Sequence, residues 1–346
     1  MLGVDLSASS VKVVELSGGG KAPMRLERYA IEPIERGAIA DGNIEKSEIV
    51  ANALNRAMRK LGTRTRDVAL ALPAAAVITK RITLPAGLTE DDYELQVESE
   101  ASQYIPFAID EVNLDFQVLG PAQGAPDEEV EVLLAASRKE KVEDRVAIAE
   151  MAGLKPLIVD AEPYAVRCSL DHVTTFLPNE GQGQVIAIFD IGQNQTRLTI
   201  VMNGQTIFER DQTLCGSQLT QEIVRVYGLM PDEAEAKKLS GDLPDNYQAD
   251  VLEPFVEQGA VDISRGLQFF FTSTPYTRVD RIYLAGGGSV VAGLAEAVAE
   301  RTQVPTEIFS PFLGMECSDS VREHRLRSDA PALLVACGLA MRSFEE

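Results

Sequence analysis

The sequence predicts an α/β protein of two duplicated lobes, with a smaller α+β unit inserted into the first. Three observations predict it. "LGVDLSASSVKVVELS" at the start and "IAIFDIGQNQTRLTIV" from Ile186 each read as strand, aspartate, polar turn, strand. Asp5 and Asp190 therefore hold equivalent places, and an internal duplication is the simplest account. Between the two hairpins, residues 77–160 break the pattern with an order of strands and helices of their own.

The elements follow from local spacing. Leu2–Leu6, Val11–Leu16 and Met24–Tyr29 are expected strands, with a turn at Ser17–Gly20. From Ser47 to Leu61 the apolar residues Val50, Ala53, Leu54, Ala57 and Leu61 recur at helical spacing, and Gly62 stops the run. Val68–Leu72 is a buried strand ended by Pro73. Val77–Leu84 is a strand, and Thr89 with Asp92 forms a capping pair for a helix to about Tyr104, which Pro106 ends. Strands at 112–119 and 129–137 flank a Gly/Pro/Ala loop at 120–126. A helix over 139–152 is closed by Gly153.

The second half restarts with strands at 184–190, 196–202 and 205–209, the last two joined by Asn203-Gly204. Helices are expected at 217–227, 232–239 and 249–271. Arg281–Ala285 is a late strand running into Gly286-Gly287-Gly288, then a helix capped by Ser289 to about Arg301. A short strand at 304–308 and a final helix at 331–344 complete the chain.

Composition sets limits. The 346 residues are 45% apolar and 25% charged, which fits globular domains and excludes a disordered chain. Lys and Arg total 32 against 53 Asp and Glu, a net charge of −21. So acidic a surface argues against a general nucleic-acid or electrostatic membrane binder. It does not exclude a phosphate ligand, because a local nest of backbone N–H groups binds anions on an acidic protein. No run reaches about 18 apolar residues, and no signal peptide is visible. The four cysteines are scattered and only two histidines exist, so no zinc site is expected.

The paired hairpins carry the chemistry. Backbone N–H groups in each turn can point at phosphate oxygens. Ser7, Ser9 and Ser10 add hydroxyls, and Lys12 can reach a phosphate as a point charge. Asp5 and Asp190 at strand ends suit Mg²⁺, which is usually held by one or two carboxylates and waters. Gly192 permits close backbone approach, and Thr196 offers a hydroxyl. Gly286, Gly287 and Gly288 let backbone approach a ligand ahead of a helix N-terminus. Neither G-x-x-x-x-G-K-[ST] nor G-x-G-x-x-G is present, so any nucleotide site is of another type.

These three segments resemble, in order, the two phosphate motifs and the adenosine motif of the actin-like ATPase superfamily. "VDAEPYAVR" at 159–167 and "ALLVACGLA" at 332–340 resemble its lobe-linking helices. Within the superfamily, "ESEASQYIPFAIDEVNLDFQVL" at 98–119, with Arg81 and "LP" at 84–85, resembles the PilM family of type IV pilus assembly. There, as in the cell-division protein FtsA, the inserted unit is subdomain 1C. Ser7 departs from the superfamily's usual glycine. Family members commonly carry a short leader before the first strand, so a trimmed leader is expected.

The resemblance implies an actin-like ATPase fold. Its subdomain 1A would be 1–76 with the helix 331–346, and 1C would be 77–160. Subdomain 2A would be 161–216 with 276–330, and the helical 2B would be 217–275. It implies ATP with Mg²⁺ in a cleft between the lobes, with Asp5 and Asp190 in the metal shell. Ser7, Ser9, Ser10, Lys12, Gly192, Gln193 and Thr196 would hold phosphates, and Gly216, Gly286, Gly287 and Gly288 would face the nucleotide. Glu235 and Lys238 in "AEAKKLS" become base or ribose contacts, the alternative being a solvated charged helix. Glu162 would orient a water, with at most slow ATPase activity.

The implied function is a cytoplasmic, ATP-binding adaptor of the pilus inner-membrane platform, serving pilus biogenesis and twitching motility. It would bind the cytoplasmic N-terminal tail of PilN in a groove beside 1C, with other inner-membrane platform and motor proteins as further partners, and would reach the membrane only through partners. Ile105 and Phe107 are either wall residues of that groove or core of 1C. The alternatives are a small-molecule kinase and a filament-forming ATPase of the same superfamily.

Overall fold

The computed structural model describes residues 1–19, 22–122, 124–125 and 128–344. In chain order the elements are β1 (Leu2–Leu6), β2 (Ser10–Gly19), β3 (Ala22–Pro33), β4 (Ile39–Ala40), β5 (Asn43–Ile44), α1 (Ser47–Leu61), β6 (Asp67–Leu72), β7 (Ile78–Pro85), α2 (Glu90–Ala101), β8 (Val112–Pro121), β9 (Glu129–Arg138), α3 (Lys139–Met151), β10 (Lys155–Ala161) and α4 (Glu162–Thr174). They continue with β11 (Val185–Ile191), β12 (Thr196–Met202), β13 (Gln205–Gln212), α5 (Gly216–Tyr227), α6 (Pro231–Ser240), α7 (Glu253–Ser273), β14 (Arg281–Ala285), α8 (Leu294–Thr302), β15 (Thr306–Ile308), β16 (Glu316–Cys317), α9 (Glu323–Asp329) and α10 (Leu334–Met341). A π-helical turn at Gln248–Leu252 leads into α7.

Two compact units emerge. The first holds Met1–Lys12 and Ala30–Tyr164, the second Val13–Tyr29 and Ala165–Glu346. The first unit carries strands in the order β10-β6-β1-β2, with β6 parallel to both β1 and β10. The strands of β1 and β6 are buried throughout their inner residues, as expected for parallel strands covered on both faces. Helix α1 lays Val50, Ala53, Leu54, Ala57 and Leu61 inward, and Gly62 closes it in the left-handed conformation, donating to the Met58 carbonyl.

The inserted piece has its own antiparallel sheet, order β7-β9-β8. Its core joins Ile82, Leu84, Val132 and Leu134 of the sheet to Tyr93, Val97 and Ala101 of α2. Thr89 caps α2 by accepting from the Asp92 amide, as its sequence predicts. The sheet closes at Arg138, however, short of the expected limit at 160. α3 packs on α1 and β6, and β10 pairs with β6 from Lys155↔Asp67 to Ala161↔Leu72. Parallel pairing is non-local, so spacing along the chain did not reveal which sheet these residues join.

The second unit carries a five-stranded sheet, order β13-β12-β11-β14-β15, and the run β2-β3-β16. Strand for strand, β11, β12, β13, β14 and β15 stand as β1, β2, β3, β6 and β10 do, which is the duplication seen in sequence. Phe189, Leu198, Ile263, Phe270, Ile282 and Leu284 pack the sheet against α7 and α8. α10 groups with this unit, not with the first strands as the expected division had it. There α10 crosses α4 so closely that a Cβ on Gly338 would strike the Ala165 carbonyl, and Ser169 Oγ donates to the Leu334 carbonyl at 2.7 Å.

Two local expectations fail. β2 persists through Ser17, Gly18 and Gly19, while Gly20 lies outside the described residues. Ser289 does not cap a helix: α8 starts at Leu294 behind Gly293, and Ser289 Oγ donates to the Gly286 carbonyl at 2.8 Å. Gly286, at φ +79°, turns the chain before a helix can start.

Glu32 on β3 is nearly buried and takes Arg56 Nε at 2.7 Å and Lys60 Nζ at 2.5 Å from α1. Burial alone would raise its carboxyl. The hydrogen bonds and charges of Lys60 and Arg56 outweigh that and hold it below the usual range. A depressed carboxyl contributes stability above its unfolded value of about 4.3, and loses it as pH falls through the folded value. Wild type is therefore expected to melt above Glu32→Gln at neutral pH. The gap in Tm should shrink as the buffer is taken from pH ~6 to ~3, and a gap constant with pH would contradict the assignment.

Candidate functional site

In the first unit, the carboxyl ends of parallel β1, β6 and β10 meet along one edge. Asp5, the penultimate residue of β1, is only 5% exposed. Its Oδ2 takes Lys12 Nζ at 2.7 Å, and Lys12 Nζ also donates to Ser7 Oγ at 3.0 Å. Ser7 closes the turn, donating from its amide and its hydroxyl to the Ser10 carbonyl at 3.1 and 2.9 Å. Ser9 is exposed at the tip, its carbonyl accepting from the Ile34 amide, and Ser10 is buried. Glu162 opens α4 directly after Ala161, which pairs with Leu72.

Sequence reasoning missed Arg145 on this edge. It is 1% exposed, and its Nε donates to the Ala71 carbonyl at 2.8 Å. Burial pushes its guanidinium below its ordinary value, and the carboxylates of Glu162, Asp144 and Asp5 oppose that shift. Nothing local distinguishes this arginine from the exposed charges around it in α3.

The second unit assembles its candidates the same way. Asp190 pairs across the sheet with Ala285, so the turn after β11 and the glycine run after β14 lie side by side. The Gly288 amide donates to the Ile191 carbonyl at 2.9 Å and the Gly286 amide to the Pro331 carbonyl at 2.8 Å. A Cβ on Gly286 would fall against Asp190 Oδ1 and within 2.5 Å of the Ile191 carbonyl. The glycine thus makes room for the aspartate.

The turn 192–195 is stitched to the N-terminus of α5. The Gly216 amide donates to the Gly192 carbonyl and the Ser217 amide to the Gln193 carbonyl, both at 2.9 Å. A helix start at this turn favours negative charge. Thr196 differs from expectation: it is fully buried and its hydroxyl donates to the Leu214 carbonyl at 2.6 Å, fixing the loop before α5. Glu235 and Lys238 are not a simply solvated pair. Lys238 Nζ donates to Glu235 Oε2 at 2.7 Å and to Thr220 Oγ1 at 2.8 Å, and Thr220 also bonds Glu235. Lys238 further reaches the Gly216 carbonyl at 3.4 Å, which ties α6 to the start of α5.

A second feature lies wholly in the first unit. A groove of about 370 Å³ runs between the inserted sheet and the segments around β4, β5 and Pro73. Ile105, Pro106, Phe107, Ser137 and Arg138 line one side, Asp41, Asn43 and Pro73 the other, with Lys141 from α3. The two readings of Ile105 and Phe107 divide between them. Ile105 is 5% exposed and belongs to the inserted core while lining the groove. Phe107 is 39% exposed, with the Arg138 guanidinium 5.4 Å from its ring centroid.

The family model described as "Type IV pilus assembly protein PilM" matches residues 3–344. The chain belongs to the PilM family. Among solved structures, the PilM–PilN type IV pilus biogenesis complex is similar at 30% identity and TM-score 0.80, over 100% of this chain and 98% of that one. EutJ, an ethanolamine utilization protein of Carboxydothermus hydrogenoformans, aligns at 14% identity and TM-score 0.58, over 98% of this chain and 88% of its own. MreB 5 of Spiroplasma citri, solved bound to AMPPNP, aligns at 15% identity and TM-score 0.50, over 99% and 95%. These last two share the fold alone. The PilM-family chain has the actin-like ATPase fold that the resemblance of its motifs implies.

Gly286→Ala tests the second-unit geometry. The added Cβ must push Asp190 or the Ile191 backbone aside, at a φ that disfavours any side chain. The substitution is expected to cost about 1–3 kcal/mol, read as a lower Tm. Gly287→Ala, where a Cβ meets open space, should leave Tm within about 1 °C.

Proposed function

We propose that this PilM-family protein is a nucleotide-loaded adaptor of type IV pilus assembly. In this reading it holds Mg-ATP at its two acidic hairpins and the cytoplasmic N-terminal tail of PilN in the groove of the first unit. The observation that carries the proposal is that groove. It is preformed, apolar along Ile105, Pro106, Phe107 and Pro73, and edged by Arg138, Lys141 and Asp41. An extended tail needs backbone partners and pockets for a few apolar side chains, and this apolar wall suits the pockets. The similarity to a PilM–PilN complex supports the choice of partner.

Each unit supplies side chains of the kind that Mg-ATP uses. Mg²⁺ is commonly held through one or two carboxylates, waters and substrate phosphates, not by a cage of protein ligands. No cluster of three metal-ligating side chains occurs among the described residues, and single carboxylates at two strand ends are what that mode requires. The metal, when bound, would neutralise phosphate charge. Asp5 and Asp190 would hold its shell, and Lys12 and the turns at 7–10 and 192–195 would meet phosphate oxygens. The space beside Gly286, Gly287 and Gly288, with Gly216, Glu235 and Lys238, would receive the nucleoside. Glu162 would orient a water.

In the absence of nucleotide, Phe107→Asp is expected to weaken binding of a PilN tail peptide by about tenfold or more in calorimetry, because it removes an exposed aromatic wall. Asp190→Ala, in the other unit, should weaken Mg-ATP binding and leave the nucleotide-free affinity for the tail unchanged. A steady phosphate release in the common enzyme range of about 1–10³ s⁻¹ would contradict an adaptor that holds its nucleotide. Tail binding indifferent to Phe107→Asp, with the variant folded and still binding Mg-ATP, would move the partner site elsewhere.

A further inference from the structure

Arg145 does not line the groove, yet it holds together the two backbone segments that build one wall of it. Its Nε donates to the carbonyl of Ala71, two residues before the wall residue Pro73. Its Nη2 donates to the carbonyl of Gly42 at 2.9 Å, inside the turn between β4 and β5. Asp41 and Asn43, which flank Gly42, both line the groove. Gly42 and Pro73 already touch: a Cβ on Gly42 would stand 2.7 Å from Pro73 Cγ. One guanidinium therefore fixes the turn against the strand end.

The Ala71 carbonyl that Arg145 holds lies at the end of β6, one residue past the Val4–Leu70 pair with β1 and opposite Asp160 of β10, so the guanidinium sits near the strand ends that carry Asp5 and Glu162. Arg145 is 1% exposed, and Nη1 is buried without a hydrogen-bond partner. A buried cation is tolerated only where charges and hydrogen bonds compensate it. Its counter-charges are Glu162, Asp144 and Asp5. Asp5 and Glu162 stand at the ends of β1 and β10, on the edge proposed for the metal and phosphates. A metal–phosphate ligand at Asp5 changes that compensation in a region of low dielectric, where charges act strongly on one another. The guanidinium's hold on its two carbonyl partners then responds to the ligand.

We propose that Arg145 is a positioning residue that couples the two sites, so that Mg-ATP at the Asp5 edge tightens the wall formed by Asp41–Asn43 and Pro73 and raises affinity for the tail. This rests on the reading of the groove and of the Asp5 edge given above. Linkage makes the coupling reciprocal: bound tail must tighten Mg-ATP by the same factor.

The test is calorimetry with a PilN tail peptide on the whole protein, with and without saturating Mg-ATP. Wild type is expected to bind the tail about fivefold or more tighter when loaded. Arg145→Lys keeps the charge, but its single ammonium cannot reproduce the guanidinium's fixed fork across both carbonyls. This variant should still bind each ligand while the coupling factor falls toward one. A wild type that binds both ligands independently, or an Arg145→Lys protein that keeps the full coupling, overturns the proposal while the adaptor reading stands. A wild type that binds one ligand or neither overturns both. Should Arg145→Lys fail to fold, amide exchange on wild type decides. Mg-ATP alone is expected to slow exchange across residues 41–45, and unchanged exchange there overturns the coupling.

Discussion

The structure depends most on the register of its parallel strand pairs. Asp190 stands opposite Ala285, and Val4 opposite Leu70, so each acidic hairpin ends level with the strand that returns beside it. Strand side chains alternate faces, and a slip of one residue would send every one of them to the other face. Asp190 would then leave the pocket that Gly286 clears for it. Register here is held by burial on both sides, since β1, β6, β11 and β14 are apolar along nearly their whole length. The core thus sets the positions of the polar ends, and open-sheet α/β proteins bind ligands at such carboxyl ends.

Much of this was legible because its signals are local. A hairpin announces itself by alternation and turn residues, so the amino-acid order alone is enough to match Asp5 with Asp190. Thr89 and Gly62 likewise act on neighbours within one helical turn. What escaped reading was non-local. Lys139–Ala161 looks like a continuation of the inserted unit, and only the pairing of β10 with β6 returns it to the first sheet. Ser289 looks like a helix cap because a serine follows glycines, but the close approach of Gly288 to Ile191 commits the chain to another turn. Arg145 gave no signal at all. Its burial follows from how α3 docks, which no spacing in α3 encodes.

The groove shows the same division. Pro106 stops the chain after α2 at a place readable from sequence. Which neighbouring side chain faces the core and which the solvent is set by the inserted sheet, and Ile105 and Phe107 take opposite answers. The opposite wall comes from β4, β5 and Pro73, short segments whose propensities are weak. β4 and β5 pair across an Asp41-Gly42 turn, and Arg145 ties that turn to the end of β6 through the Gly42 and Ala71 carbonyls. A small groove of this kind is built from long-range contacts, so its residues are the ones sequence identifies last.

Charge bears on what the hairpin of the first unit can hold. The chain carries −21 overall, but fields from distant surface charges fade over about 8–10 Å in physiological salt. Local groups therefore decide whether phosphate is held. In the first unit the nearest cation, Lys12, is already committed to Asp5 at 2.7 Å, with both side chains largely buried. A phosphate arriving alone would have to share Lys12 with that carboxylate, and separating a buried pair without replacement is costly. Arriving with a divalent cation, it brings a substitute partner for Asp5, and Lys12 can turn to the phosphate at little loss. On the adaptor reading, the ion pair at the first turn is thus a reason for the hairpin to take the nucleotide together with its metal, and the same exchange at Asp5 is what Arg145 would sense.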